Sequence, residues 1–330
     1  MPWADSPEMR TNLLAATPLA PYLEEAGFCL WDVGARGGID PLFAPFAFAV
    51  DAVGFEPDPE AFPSLRPTGA WRSERFYETA IGAASGRATL NIPTDPAGAS
   101  FLDHDPAVGR RYGLGALFDV QQRLEIGLLS MDDAVAALGI PAPNLLKLDV
   151  EGLELDILRG GTTQIAGLAA VKAEVSFIAQ RRNQPLAHEM IAFMGERGFC
   201  LAGIVGPALW RTKPWAPDPY LVRTDRPYSR GRLAQADLLF LREPGSVSGE
   251  GALRAGLAAM ALGYFDHGTE LVAASGEGAD RIGEIGRAAA ATARIYGRAR
   301  AREALGATLC RALYLARSLC GGLGVPRGSA

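Results

Sequence analysis

Residues 28–38 read Phe-Cys-Leu-Trp-Asp-Val-Gly-Ala-Arg-Gly-Gly (FCLWDVGARGG). Phe28, Cys29, Leu30, Trp31 and Val33 make both faces of this run apolar, the pattern of a strand buried in a parallel sheet. Asp32 lies at the carboxyl end of that strand, and Gly34, Gly37 and Gly38 follow it. Glycines there let the main chain turn tightly and approach a ligand closely. In an open α/β sheet, the crevice beyond the strand ends is where nucleotide-like ligands bind. The spacing does not fit the pyrophosphate fingerprint G-x-G-x-x-G, because Arg36 and Ile39 stand where its second and third glycines belong. A nicotinamide-dependent oxidoreductase is disfavoured on that ground. The pattern present is D-x-G-x-x-x-G.

Working outward, Pro21–Ala26 reads as a helix ahead of the first strand, after an N-terminal arm (residues 1–27 in all). Ile39–Ala49 is apolar but broken by Pro41 and Pro45, so a short irregular helix is expected. Ala49–Phe55 is a second strand ending in Glu56-Pro57-Asp58-Pro59. An acid at that place, about 20 residues after the glycine turn, is positioned to accept hydrogen bonds from ribose hydroxyls. Glu56 fits; a solvated loop carboxylate is the plainer alternative. Arg75–Ile81 reads as a third strand closed by Gly82, and residues 93–115 as a Pro/Gly/Asp-rich loop or lid carrying Ser100 and His104. Ser130 is a good N-cap for a helix over Met131–Leu138.

The segment Leu145–Gly161, LLKLDVEGLELDILRGG, starts as a strand carrying Lys147 and Asp149, then turns at Gly152 into a helix. Glu151, Glu154 and Asp156 load the first turns of that helix with charge that its dipole favours. Leu168–Phe177 follows as a strand with Glu174 inside it, and a carboxylate there is expensive unless paired. Glu174 is therefore a functional candidate, with an ion pair to Lys147 or an arginine as its structural alternative. Leu186–Arg197 reads as a helix, Phe199–Ile204 and Ala236–Leu241 as strands, and Pro207–Arg232 as a long irregular loop holding Trp210, Trp215, Tyr220 and Tyr228. From about Gly245 the chain becomes rich in Ala, Gly and Arg; Ala252–Phe265 and Glu303–Leu319 have helical apolar spacing.

At 330 residues, with 48% hydrophobic and 21% charged residues, the chain can bury the core of a large α/β domain with an appended piece. A net charge of −5 argues against a broad nucleic-acid-binding surface. The four cysteines, at 29, 200, 310 and 320, lack metal-ligand spacing and read as free thiols in a reducing cytoplasm. No secretory signal and no bilayer-spanning apolar run is visible, so a cytoplasmic location without a transmembrane segment is expected.

With these pieces in order, residues 28–242 resemble the FkbM family of S-adenosylmethionine-dependent methyltransferases. The resemblance is carried by WDVGARGG, GFEPDP, YETAIG, LLSMDDAVAALGI, LLKLDVEGLELDILRG, AEVSF and ADLLFL; the K-x-D-V-E-G-x-E core at Lys147–Glu154 is the most specific piece. It implies a Rossmann-like class I methyltransferase sheet with helices on both faces and a reversed final strand. On that basis residues 28–244 form the methyltransferase domain, and residues 245–330 an appended helical extension on which the resemblance is silent. It also implies O-methylation of a small molecule, sugar, glycan or polyketide-like acceptor. By position, Asp32, Gly34, Ala35, Arg36 and Gly38 would surround the methionine and ribose end of the cofactor, with Glu56 and Pro57 at the ribose. Ala80 and Ile81 would lie by the adenine, and Asp149 would face cofactor and acceptor. Arg36 departs from the glycine common at mid-motif and would pair with the cofactor carboxylate or with Glu56.

An alcohol must lose its proton while it attacks the methyl group, and a positioned base typically contributes about 10²–10⁴-fold. Asp149, then Glu174, then His104 are the candidates, with Lys147 orienting the acids or stabilising developing alkoxide charge. Asp149 and Glu174 would suit a hard divalent ion, but no metal motif supports one and none is assigned. A nucleic-acid N-methyltransferase is disfavoured, since Asp149-Val150-Glu151-Gly152 replaces the Asp/Asn-Pro-Pro-aromatic signature. The alternative from a different class is an idle cofactor-binding or scaffolding protein. It would act through the helical extension, which is also open to self-association or a protein partner.

Overall fold

The computed structural model describes residues 10–217 and 227–320. Tyr220 of the aromatic loop lies outside them, as do the side chains of Cys310 and Cys320. After helix α1 (Ala20–Ala26), the chain lays down strand β1 (Phe28–Val33), a proline-broken 3-10 helix (Pro41–Ala49), β2 (Val50–Phe55) and β3 (Ser73–Tyr77). Strand β4 (Ala80–Gly82), β5 (Gly86–Pro93), helix α2 (Pro106–Tyr112) and β6 (Val120–Ser130) come next. Then follow α3 (Met131–Leu138), β7 (Leu145–Leu148), α4 (Glu154–Gly160), α5 (Thr162–Ile165) and β8 (Ala170–Ser176). The chain continues with α6 (Ala187–Glu196), β9 (Phe199–Trp210), β10 (Arg232–Arg242) and helices α7 (Gly249–Ala261), α8 (Phe265–Ala273) and α9 (Ala279–Cys320).

Seven strands form one sheet in the order β3-β2-β1-β7-β8-β10-β9, in which β10 runs antiparallel to both of its neighbours and the remaining pairs are parallel. The chain winds outward from β1 to β3 and then returns to place β7 on the other side of β1. The carboxyl ends of β1 and β7 therefore flank the topological switch point, where such sheets open a crevice. Alternation along β1 sends Phe28 and Leu30 into one core and Cys29, Trp31 and Val33 into the other. The first core also takes Leu257, Leu271 and Ile285 from α7, α8 and α9, so these helices cover one face of the sheet. The small residues have a packing reason: a Cβ on Gly256 would sit 2.7 Å from the Gly268 carbonyl oxygen, and one on Gly268 2.5 Å from that of Gly256. Helix α9 spans 42 residues, with Leu305 and Leu309 exposed on its distal half.

Three sequence readings are corrected. Arg75–Ile81 is not one strand: the Thr79 N–H turns back to the Tyr77 carbonyl at 2.9 Å, and Ala80–Gly82 pairs with β6 in a separate sheet of order β4-β6-β5. The 93–115 segment contains α2, whose first turn is fixed by Asp105 accepting from the Ala107 N–H and whose end is closed by left-handed Gly113. The long irregular loop is shorter than expected, because β9 runs on to Trp210 and its last residues pair with the start of β10. Cys29 and Cys200 are free thiols, and burial pushes Cys29 up to about 12. Among the described residues, no helix is long and apolar enough to cross a membrane.

Candidate active site

A crevice of about 460 Å³ opens at the switch point. Its floor is an ion-paired network. Asp32, fully buried, accepts the Asp40 N–H at 2.7 Å and pairs with Lys147 at 3.0 Å. Lys147 also donates to the Gly34 carbonyl at 2.7 Å and lies 3.5 Å from Asp149. Burial pushes Asp32 up to about 6, against the pull of Lys147. Burial works to lower the Lys147 pKa, but Asp32 and Asp149 outweigh it and raise it, so the ammonium keeps its charge. Lys172 repeats the device one strand over, pairing with Asp40 at 2.6 Å and Asp237 at 2.9 Å. The structural alternative for Glu174, an ion pair with Lys147 or an arginine, is not formed among the described residues; Glu174 accepts instead from Gln235 at 2.5 Å.

On one side of this floor the glycine turn curves away. Gly34 (φ +84°) is required by close approach, since a Cβ there would fall 1.9 Å from the Asp149 carbonyl oxygen. Gly37 and Gly38 line the crevice with positive φ, and a Cβ on either would meet no atom within 4 Å. Ala35 is buried and donates its N–H to Phe55 rather than lining the crevice. Arg36 ion-pairs with Asp58, not with Glu56. Glu56 and Pro57 line the wall; Glu56 holds the Asp58 N–H at 2.9 Å through one oxygen, and burial raises its pKa. Ala80 and Ile81 are buried away from the crevice lining, because β4 left the main sheet.

On the other side, oxygens of Asp149, Glu151 and Glu174 lie within 4.8 Å of one another. Glu151 is the residue that helical periodicity misplaced. It precedes α4, adopts φ +59°, and turns its carboxylate into the crevice, where Arg181 holds it at 2.5 Å. A left-handed non-glycine backbone is costly and characteristic of functional sites. Glu154, also assigned to the helix dipole, is buried and instead accepts the N–H groups of Val150 and Gly152, fixing that turn. Burial pushes Glu151 up to about 7, opposed by Arg181 and assisted by Asp149 and Glu154. Glu174 is raised well above the carboxylate range by burial and by Glu151 and Asp149. Asp149 is the most open of the three, with 42% of its side chain exposed. His104 does not reach the crevice lining: it is buried, its Nε2 lies 2.8 Å from the Gly98 carbonyl oxygen, and burial lowers its pKa. The signal for Glu151 was its place directly before Gly152 in the D-V-E-G run.

A seven-stranded doubly wound sheet with one reversed strand and a crevice at the β1/β7 switch point defines the class I methyltransferase architecture. The model of the Methyltransferase FkbM domain matches residues 32–201, and the chain belongs to the FkbM methyltransferase family. The Hexuronic acid methyltransferase AglP of Haloferax volcanii is 26% identical over 146 residues, covering 44% of this chain and 55% of the relative. The chain thus spans about half the length of that curated relative. Magnesium protoporphyrin IX methyltransferase (ChlM) from Synechocystis PCC 6803, solved with bound SAM, aligns over 68% of this chain and 76% of its own at 11% identity and a TM-score of 0.30.

The family's methyl donor is S-adenosylmethionine, and the crevice fits it on its own chemistry. Two glycines open onto free space, Glu56 presents a buried carboxylate at the end of β2, and Leu90, Ala97 and Phe101 supply apolar surface. The volume lies in the range of small-molecule and cofactor pockets.

Proposed function

We propose that this protein transfers a methyl group from S-adenosylmethionine to a hydroxyl oxygen of a sugar or glycan. The observation that carries the reading is the convergence of Asp149, Glu151 and Glu174 across the crevice from Glu56 and Gly38. The relative named as a hexuronic acid methyltransferase supports a sugar acceptor. When bound, S-adenosylmethionine supplies a methyl group on a sulfonium centre, already activated for displacement.

The chain supplies position and a proton sink. Glu56 accepts from ribose hydroxyls, and Gly37 and Gly38 let the main chain approach the donor. Lys147 ties the glycine turn, Asp32 and Asp149 into one unit, so the donor side and the proton-accepting side keep a fixed relation. Asp149 would take the proton of the acceptor hydroxyl as that hydroxyl oxygen bonds the methyl carbon and S-adenosylhomocysteine departs with the broken S–C electron pair. Glu151, with its pKa near neutral, and Glu174 stand next in line to share it. The three carboxylates are also hard ligands of a kind that suits magnesium, which makes chelation an informative control.

The test is turnover with S-adenosylmethionine and a panel of glycosides, alongside Asp149→Asn. The variant loses about 10²–10⁴-fold in kcat, the usual contribution of a general base, while keeping its donor affinity. Unchanged kcat removes Asp149 from the role.

A further inference from the structure

Beside the donor crevice lies a second, open hollow of about 590 Å³, lined by Asn91, Phe101, Asp103, Arg123, Arg182 and Asn183, among others. Phe101 is shared: it lines both the hollow and the donor crevice. Its segment is fixed to the proton-accepting turn, since Ser100 donates to the Glu151 carbonyl at 2.8 Å and takes the Leu102 N–H at 3.0 Å. Asn91, buried, receives Arg123 Nε at 3.1 Å on its amide oxygen and donates to the Leu102 carbonyl at 3.2 Å. Among the described residues, the two terminal nitrogens of Arg123 have no protein acceptor, so they stay available on a guanidinium held through its Nε. The Arg182 main chain is anchored to the Asp103 carbonyl at 2.9 Å, and no carboxylate of the described residues lies in ion-pair range of either arginine side chain. Asn183 holds a left-handed backbone at φ +58°. Arg123 and Arg182 are exposed to the hollow and stand without a carboxylate partner beside one wall of an acidic active site.

We infer that this hollow is the acceptor subsite and that it takes an acidic sugar, with Arg123 and Arg182 binding its carboxylate and Phe101 covering the ring face. The donor set matches that ligand. Guanidinium groups bind carboxylates through paired, charge-assisted hydrogen bonds. Asp103 and Asn183 offer acceptors and donors for ring hydroxyls, and an aromatic side chain suits the apolar face of a sugar. The arginines also offset the repulsion that an anionic substrate meets on approaching Asp149, Glu151 and Glu174. Asp103 inside the hollow and Glu125, whose carboxylate accepts from Thr89 at its rim, are the acids that the two arginines must outweigh. The significance of the site for catalysis rests on the hydroxyl-methylation reading above.

The test is calorimetric titration of the full chain, saturated with S-adenosylhomocysteine, with p-nitrophenyl β-glucuronide and separately with p-nitrophenyl β-glucoside. The glucuronide binds at least about tenfold more tightly, the ratio expected for a hydrogen bond to a charged group. Arg123→Gln and Arg182→Gln each remove most of that preference and leave S-adenosylhomocysteine affinity unchanged; Arg182→Gln also leaves thermal melting unchanged, whereas Arg123→Gln lowers it because buried Asn91 loses a donor. Equal binding of the two glycosides, binding of neither, or a preference that survives both substitutions overturns the inference. The assay reads binding without turnover. A protein that selects the glucuronide through these arginines yet methylates no hydroxyl sinks the methylation reading and leaves the site standing.

Discussion

Lys147→Met is the most informative single substitution, because the structure sets both its size and its pH dependence. The wild-type ammonium holds Asp32, the Gly34 carbonyl and Asp149 together at 2.7–3.5 Å. Methionine keeps the length of the side chain and removes the charge, leaving Asp32 buried with the Asp40 N–H as its remaining donor. Asp32 already holds its proton up to about pH 6 in the folded wild type, against an ordinary value of 3.8. Without Lys147 its folded pKa climbs further, so the folded variant keeps a proton that the unfolded chain has released. The sign follows: the unfolded state binds fewer protons, and variant stability falls as pH rises. Wild-type stability stops falling on this account above about pH 6, where its own Asp32 has ionised. The gap between the two proteins therefore widens by up to about 1.4 kcal/mol per pH unit above that point, or about 2.7 kcal/mol by pH 8. Urea denaturation of both proteins at about pH 5 and about pH 8 measures it. The double variant Asp32→Asn/Lys147→Met should lose the pH dependence. A penalty equal at the two pH values, or below about 0.5 kcal/mol at both, would refute the reasoning.

Other consequences follow from the same geometry. Glu56→Ala removes the buried carboxylate at the end of β2 and weakens S-adenosylmethionine binding by about tenfold or more, the worth of hydrogen bonds to a charged acceptor; unchanged affinity by calorimetry refutes the ribose assignment. Because Glu151 is pushed up to about 7, kcat/KM rises as pH passes through that value and the cluster sheds its proton. The stability contribution has the opposite sign, being present below the ordinary glutamate pKa and lost toward about 7; a flat pH–rate profile between about 6 and 8 excludes Glu151 from the proton path. Gly160→Ala would place a Cβ 1.8 Å from the Ala83 carbonyl oxygen. It costs about 1–3 kcal/mol, seen as a lowered melting temperature.

The parts of the fold written in local pattern were legible. Strands β1, β2 and β7 announce themselves as apolar runs with Asp32, Glu56 and Asp149 at their carboxyl ends, β8 as an apolar run with Glu174 inside it, and the Ser130 cap on α3 is present as expected, accepting the Asp133 N–H. What sequence could not give was the consequence of single backbone torsions. Periodicity assigned Glu151 to a helix, whereas a left-handed turn one residue before Gly152 swings it into the crevice. A two-residue turn at Glu78-Thr79 carries Ala80 and Ile81 into a second sheet and out of reach of the crevice lining. His104 looked like a base because histidine in a loop suits proton transfer, but its Nε2 is taken up by the Gly98 carbonyl. Arginine partners were equally hidden: neither the Arg181–Glu151 pair nor the Arg123–Asn91 contact leaves a mark in local spacing.

The central claim is methyl transfer to a hydroxyl oxygen, and the most direct test is the position of the transferred carbon. The full chain is incubated with S-adenosylmethionine labelled with ¹³C at the methyl group and with p-nitrophenyl β-glucuronide, and the product is read by carbon–proton correlation NMR. The account predicts a new methyl ether correlated to a ring carbon of the sugar. A methyl ester on the glucuronide carboxylate, or no labelled product from a protein that demonstrably binds the donor and the glucuronide, would contradict it.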